Sequence, residues 1–233
     1  MAADKKILII IPAWNEAESL PSVIAEVRGE LPLCDILVVN DGSTDDTERV
    51  ALAAGAEVAT LPYNLGVGGA MRLGYRYAFE NDYDIAIQID ADGQHDPRYV
   101  PKLIDGLADG ALVIGARFAG EGDYAVRGPR KWAMSVLSVV LSRMAKTKLT
   151  DTTSGFRACD RDLIRLFAQW YPVEYLGDTV ETTVRAIRLG HKVVQVPVAM
   201  RPRSAGTPSA SPAKAMLYLG RAMITLLLAV NRK

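Results

Sequence analysis

Residues 84–96, "DIAIQIDADGQHD", decide how this chain is read. The first half is apolar and β-prone, a short strand, and the second half delivers Asp90, Asp92 and Asp96 together with Gln94 and His95. A turn needs one Asp or Asn and a glycine, and Gly93 supplies the latter. Three carboxylates so close together repel one another, and the surplus charge asks for a partner such as a divalent cation. Asp90, Asp92 and Gln94 are hard oxygen ligands at a strand end, suited to Mg²⁺ or Mn²⁺ that also holds a diphosphate. The competing reading is an Asp-Gly turn that caps a helix at Pro97.

Outward from this stretch the same grammar recurs. Short apolar runs at 6–11, 35–39, 57–61 and 112–114 alternate with amphipathic segments, which predicts a mainly parallel α/β sheet covered by helices. In such sheets ligands bind at the carboxyl ends of the strands, and those ends carry "PAWNE" (12–16), "NDGSTDD" (40–46) and "DADGQHD" (90–96). Ser43 or Thr44 could also cap the helix that follows. The glycines of "NLGVGGAMRLG" (64–74) miss the GxGxxG spacing of dinucleotide-binding turns, which argues against a nicotinamide or flavin site.

A chain of 233 residues, 49% apolar, is long enough to bury a full core. Its 27 basic and 27 acidic residues cancel, which speaks against a nucleic-acid protein. The charge is unevenly placed, however: no acid follows Glu181, so that end of the chain should attract phosphates or an anionic surface. Cys34 and Cys159 lack CxxC spacing, so neither a disulfide framework nor a zinc site is expected and a reducing cytoplasm suits them. The run at 7–11 is too short for a signal-peptide core and reads as the first strand.

Downstream, 117–130 reads as a Gly-rich charged loop, 130–145 as a helix, "TDTTSGFR" (150–157) as a turn, 179–189 as a helix and 192–198 as a strand. Residues 199–212 read as a loop. The expected organisation is a catalytic domain over 1–212 and a C-terminal amphipathic helix over 213–233. On that helix Lys214, Tyr218, Arg221, Thr225 and Arg232 form a narrow polar stripe beside a broad apolar face. The run is short for a bilayer of ~30 Å and contains Arg221, so a membrane surface, a small membrane-protein partner or the chain's own core is expected to cover it.

Seven segments in order, "IIIPAWNEAESL", "VVNDGSTDDT", "NLGVGGAMRLG", "IQIDADGQHDP", "IGARF", "DTTSGFRA" and "VPVAMRPRSAGTPS", resemble family 2 glycosyltransferases of the GT-A fold. The nearest branch in appearance is the polyprenyl-phosphate or dolichyl-phosphate sugar transferases. The resemblance implies a metal-dependent inverting enzyme at the cytoplasmic face of a membrane, moving a hexose from a UDP- or GDP-linked sugar to a polyprenyl phosphate. It implies a nucleotide pocket at Pro12, Ala13, Asn15, Glu16 and Asp41, with Gly69 in a helix start beneath the donor and Ala91 between the acids. Asp92 and Gln94 would contact the metal, and Asp90 the nucleotide or the metal. Arg117, Arg130, Ser135, Arg201, Arg203 and Ser204 would face phosphate groups, a use that suits the planar arginine fork. Asp178 and Glu181 fall where relatives with hydroxyl acceptors keep a general base, and could equally be first-turn acids that answer the helix dipole. A glycan hydroxyl acceptor, or a non-catalytic nucleotide-sugar-binding subunit, are the other readings these residues allow.

Overall fold

The computed structural model describes residues 5–117, 129–173 and 177–203, together with Gly220. Among them lie the strands β1 (Ile7–Ala13), β2 (Asp35–Asn40), β3 (Glu57–Thr60), β4 (Ile85–Gln88), β5 (Leu112–Ala116), β6 (Arg157–Asp160) and β7 (Val193–Pro197). The helices are α1 (Leu20–Glu30), α2 (Thr47–Ala53), α3 (Val67–Glu80), α4 (Val100–Gly106), α5 (Pro129–Ala145), α6 (Arg161–Gln169) and α7 (Gly177–Arg188).

Strands join in one sheet of order β3-β2-β1-β4-β6-β5-β7. All pairs are parallel except those made by β6, which runs antiparallel to β4 and to β5. The unbroken apolar runs follow from burial of both faces. In β1, Leu8 and Ile10 point into a layer with Met71 and Tyr75 of α3, Leu137 of α5, Phe167 of α6 and Val184 of α7. Ile7, Ile9 and Ile11 point the other way, against Ile24 and Val27 of α1, Ala51 of α2 and Leu103 of α4.

Strand order reverses between β1 and β4: β2 and β3 add on one side of β1, and β4 on the other. A crevice opens at such a switch, at the carboxyl ends of the two strands. Glu16 follows β1 and Asp90 follows β4, so the acidic segments meet there. The 64–74 glycines serve close packing: a Cβ on Gly68 would stand 2.0 Å from the Pro172 carbonyl oxygen, so α3 reaches the segment after α6 only with glycine at that position.

Two elements depart from the expectation. The 150–157 turn leads straight into β6, and α6 follows it, capped by Asp160, whose Oδ1 accepts from the Leu163 N–H at 3.0 Å. Ser43 and Thr44 do not cap α2: Ser43 Oγ accepts from the Asn15 N–H (2.9 Å), and the Thr44 N–H donates to Asn15 Oδ1 (2.8 Å). Their hydrogen bonds tie the end of β1 to the end of β2. The expected 213–233 helix apart from Gly220, most of the 117–130 loop and residues 204–212 lie outside the described residues.

Candidate active site

Asn15 adopts a left-handed backbone (φ 54°) that turns the chain after β1, and the Glu16 N–H is held by Thr47 Oγ1 at 2.9 Å. The Glu16 side chain is nearly buried; Oε2 accepts from Ser19 Oγ at 2.7 Å and Oε1 from the Arg203 guanidinium. Burial raises its pKa, an effect opposed by Ser19 and Arg203. Asp41, also buried, accepts from the Leu65 and Gly66 N–H groups at 2.7 and 2.8 Å, which fixes the start of α3 against the end of β2. Pro12 and Ala13 pair with Val39 and Asn40 in the register of the parallel ladder, at the carboxyl ends of β1 and β2 that lead to these two acids.

The acids after β4 have separate roles. Asp96 caps the 3-10 turn at Pro97–Tyr99 and pairs with Arg98 (2.7 Å) and Arg201 (2.8 Å), and these groups hold its carboxyl down at about 2. Capping therefore accounts for Asp96 and leaves Asp90 and Asp92 unexplained. Asp92 is largely buried; its Oδ1 accepts from the Gln94 N–H (3.0 Å), and its Oδ2 lies 3.4 Å from Arg203 Nη1. Burial first, and then the Asp90 charge, raise its pKa. A buried carboxylate whose charge is disfavoured by burial and by a neighbouring acid is a donor that a divalent cation would relieve, with Asp90 beside it as the second oxygen ligand.

Among the described residues no group of three His, Cys, Asp or Glu side chains could hold a metal by itself. Such a site fits Mg²⁺ or Mn²⁺ held by one or two carboxylates and completed by substrate phosphate and water. Gln94 is tied to the returning segment: its Nε2 donates to the Arg201 carbonyl at 3.4 Å, and its backbone carbonyl accepts from the Arg201 N–H at 3.0 Å, bonds that leave its Oε1, the expected metal ligand, uncommitted by them. This pair of contacts and the His95–Met200 bridge bring residues 200–203 back over the crevice.

The expected phosphate-facing arginines divide. Arg203 reaches the acids, whereas the Arg201 guanidinium pairs with Glu26 (2.6 Å) and Asp96 and anchors the returning segment. Arg117 forks onto the wholly buried Asp151, with Nε–Oδ2 at 2.6 Å and Nη2–Oδ1 at 3.0 Å, and reaches Thr153 Oγ1 at 3.1 Å. Ser135 is exposed on α5; Arg130 belongs to the first turn of that helix, with its side chain outside the described residues, as Ser204 is altogether. Gly69 is buried in the first turn of α3, and Ala91 is buried between Asp90 and Asp92. Asp178 is buried in the first turn of α7, where desolvation pushes its carboxyl up to about 7 against the opposing charge of Arg157. Glu181, one turn on, is half-buried.

Sequence reasoning passed over His95. It is buried, stacked on Phe156 with ring centroids 4.8 Å apart, and its Nδ1 accepts from the Asp90 N–H at 3.0 Å. Its Nε2 stands 3.6 Å from Asp90 Oδ2, so the ring orients the Asp90 backbone and borders its carboxylate. A lone His after a run of acids carries no sign of this, because the partner ring comes from residue 156.

Fold and site together define a glycosyltransferase of the GT-A type. The family model described as Glycosyl transferase family 2 matches residues 8–167, and the chain belongs to that family. It is 35% identical over 212 residues to the undecaprenyl-phosphate mannosyltransferase of Micrococcus luteus, with 86% of each chain covered. To the polyprenol monophosphomannose synthase of Mycolicibacterium smegmatis it is 32% identical over 224 residues, covering 89% of this chain and 82% of the relative. Among solved structures it is similar to glucosyl-3-phosphoglycerate synthase from Mycobacterium tuberculosis in complex with Mn²⁺, UDP and phosphoglyceric acid. The TM-score is 0.74 at 25% identity, over 100% of this chain and 81% of that one.

Proposed function

We propose that this family 2 glycosyltransferase carries out divalent-metal-dependent, inverting transfer of a hexose from a UDP- or GDP-sugar to a polyprenyl phosphate. The observation that carries the reading is the buried Asp92 beside Asp90 at the switch between β1 and β4, a carboxylate pair in need of a cation. The printed activities of the Micrococcus and Mycolicibacterium relatives support the lipid-phosphate acceptor. The Mn²⁺ and UDP in the mycobacterial structure support the metal and the nucleotide.

Asp41 and Glu16 line the edge where a base and ribose would sit, and Asp90 and Asp92 would hold the cation. When bound, that cation supplies charge neutralisation for the departing diphosphate. Arg203, and with it Arg117 and Arg130, would orient and neutralise phosphate oxygens. A phosphate monoester is already anionic at neutral pH, so the acceptor needs no base, and positioning and charge stabilisation suffice.

A hydroxyl acceptor is the second reading, favoured by the phosphoglyceric acid of the mycobacterial structure. It requires a base that reaches the acceptor, and the burial of Asp178 weighs against that residue. We assign docking on a cytoplasmic-facing membrane surface, or on a small membrane partner, to the acid-free residues 213–233; among the described residues no helix is long and apolar enough to cross a membrane. Thermal stabilisation by UDP- and GDP-sugars, with Mn²⁺ or with chelator, tests the donor half of the proposal. Stabilisation that is equal in chelator would refute it.

A further inference from the structure

Arg157 opens β6 where an apolar residue would be the ordinary choice, and it is 2% exposed. Its Nε donates to the Ser154 carbonyl (2.7 Å) and its Nη2 to the Thr152 carbonyl (3.1 Å). Its Nη1 donates to the Thr179 carbonyl (2.9 Å) and to the hydroxyls of Thr182 (3.2 Å) and Thr183 (3.3 Å). Every one of these acceptors is neutral. Asp178 sets an opposite charge near it, but no hydrogen bond joins the two, and a buried guanidinium held only by neutral acceptors is costly to the fold, so its retention calls for a return elsewhere.

The hydrogen bonds indicate that return. Arg157 ties two carbonyls of the 152–155 turn to the first turns of α7. In the sheet it lies opposite Gln88, whose Nε2 donates to Asp90 Oδ1 at 2.9 Å, while Gln88 Oε1 has no partner among the described residues. The turn presses on the same two groups: a Cβ on Gly155 would stand 2.7 Å from Gln88 Nε2 and 3.4 Å from Asp90 Oδ1. The other end of the turn is Asp151, which grips Arg117. One seven-residue segment, 151–157, thus touches the carboxylate on the metal side and the arginine on the acceptor side.

We propose that Arg157 is a positioning residue: by clamping the 152–155 turn to α7, it sets the Gln88–Asp90 carboxylate in place for the cation and holds Asp151 in register with Arg117. For the metal half this rests on the reading of Asp90 and Asp92 given above. Lysine cannot replace it, because a compact ammonium with three donors cannot meet five acceptors spread over a turn and a helix.

The test uses the full chain and Mn²⁺, titrated at fixed UDP and, separately, at fixed GDP, with free Mn²⁺ read by electron paramagnetic resonance. Melting in chelator is measured alongside. Arg157→Lys and Arg157→Met are expected to raise the Mn²⁺ midpoint tenfold or more, as loss of a supporting contact behind a metal ligand does. Leu163→Ala, buried on α6 in the same apolar layer, is expected to lower the melting temperature and leave the Mn²⁺ midpoint unmoved. Should the Arg157 variants fail to fold, Gly155→Ala, which pushes directly on Gln88 and Asp90, is expected to raise the midpoint in a folded protein. An unchanged midpoint in the folded Arg157 variants or in Gly155→Ala, or an equal shift in Leu163→Ala, overturns the proposal while the functional reading stands. A wild-type chain that takes up no Mn²⁺ with either nucleotide overturns both.

Discussion

The Arg203 Nη1 stands 3.4 Å from Asp92 Oδ2, and the same guanidinium bonds Glu16 across the crevice. A cation on the returning 200–203 segment therefore faces two carboxylates that burial disfavours as anions. Arg203→Ala should weaken binding of a nucleotide diphosphate in Mn²⁺ by about tenfold, the worth of one charge-assisted hydrogen bond. Calorimetry with UDP and GDP checks this, and unaltered affinity for both would remove Arg203 from the donor site.

Asp92 sits on a turn after β4, outside both apolar layers. Asp92→Ala should retain the melting temperature in chelator to within a few degrees and lose the stabilisation that Mn²⁺ and nucleotide give together. Stabilisation as large as in the wild type would mean that the cation is bound elsewhere.

Arg117 and Asp151 show why a simple alanine test misleads. Removing Arg117 leaves a wholly buried carboxylate unpaired, at a cost of about 3–5 kcal/mol to the fold. Arg117→Ala is thus expected to lower both stability and transfer, transfer by about 10²-fold or more. The double change Arg117→Met with Asp151→Leu should recover stability in denaturant titrations and leave transfer low. Transfer that returns with stability would make Arg117 structural only.

For Asp178 the sign follows from its carboxyl being pushed up to about 7 by burial, from an ordinary value of 3.8. In the metal-free protein the native state keeps a proton that the unfolded chain releases. Its contribution to stability therefore falls as pH rises from about 4 to about 7, by up to ~1.4 kcal/mol per pH unit, and is flat above. The groups facing it are Arg157, Asp90 and Tyr171. Asp178→Asn should remove this component, so that stability relative to the wild type improves as pH rises through the window. Parallel pH profiles of the two proteins in chelator would show the carboxyl to be already ionised.

What the sequence disclosed follows from the range of each interaction. Strands β1, β2, β4 and β5 were legible because both faces are covered and each reads as an apolar run, and the acids of 90–96 stood out by local density. β6 was not: four residues, "RACD", with charge at both ends, read as part of a turn, and its antiparallel place is fixed by partners about 70 and 45 residues away. A signal for α6 was available in Asp160 followed by Leu163, Ile164 and Phe167, a cap with an apolar face at helical spacing. Arg157, Asp151 and His95 gave no such signal, since their roles depend on Thr179, Arg117 and Phe156, which only the folded chain brings near.

The most direct measurement is the initial rate of sugar transfer from UDP- and GDP-hexoses to a short-chain polyprenyl phosphate, with Mn²⁺ and with chelator, beside 3-phosphoglycerate as a competing acceptor. The expected result is product on the lipid phosphate from one of the two nucleotide donors, lost in chelator, with none on phosphoglycerate. Transfer undiminished in chelator, or transfer to phosphoglycerate and not to the lipid phosphate, would contradict it.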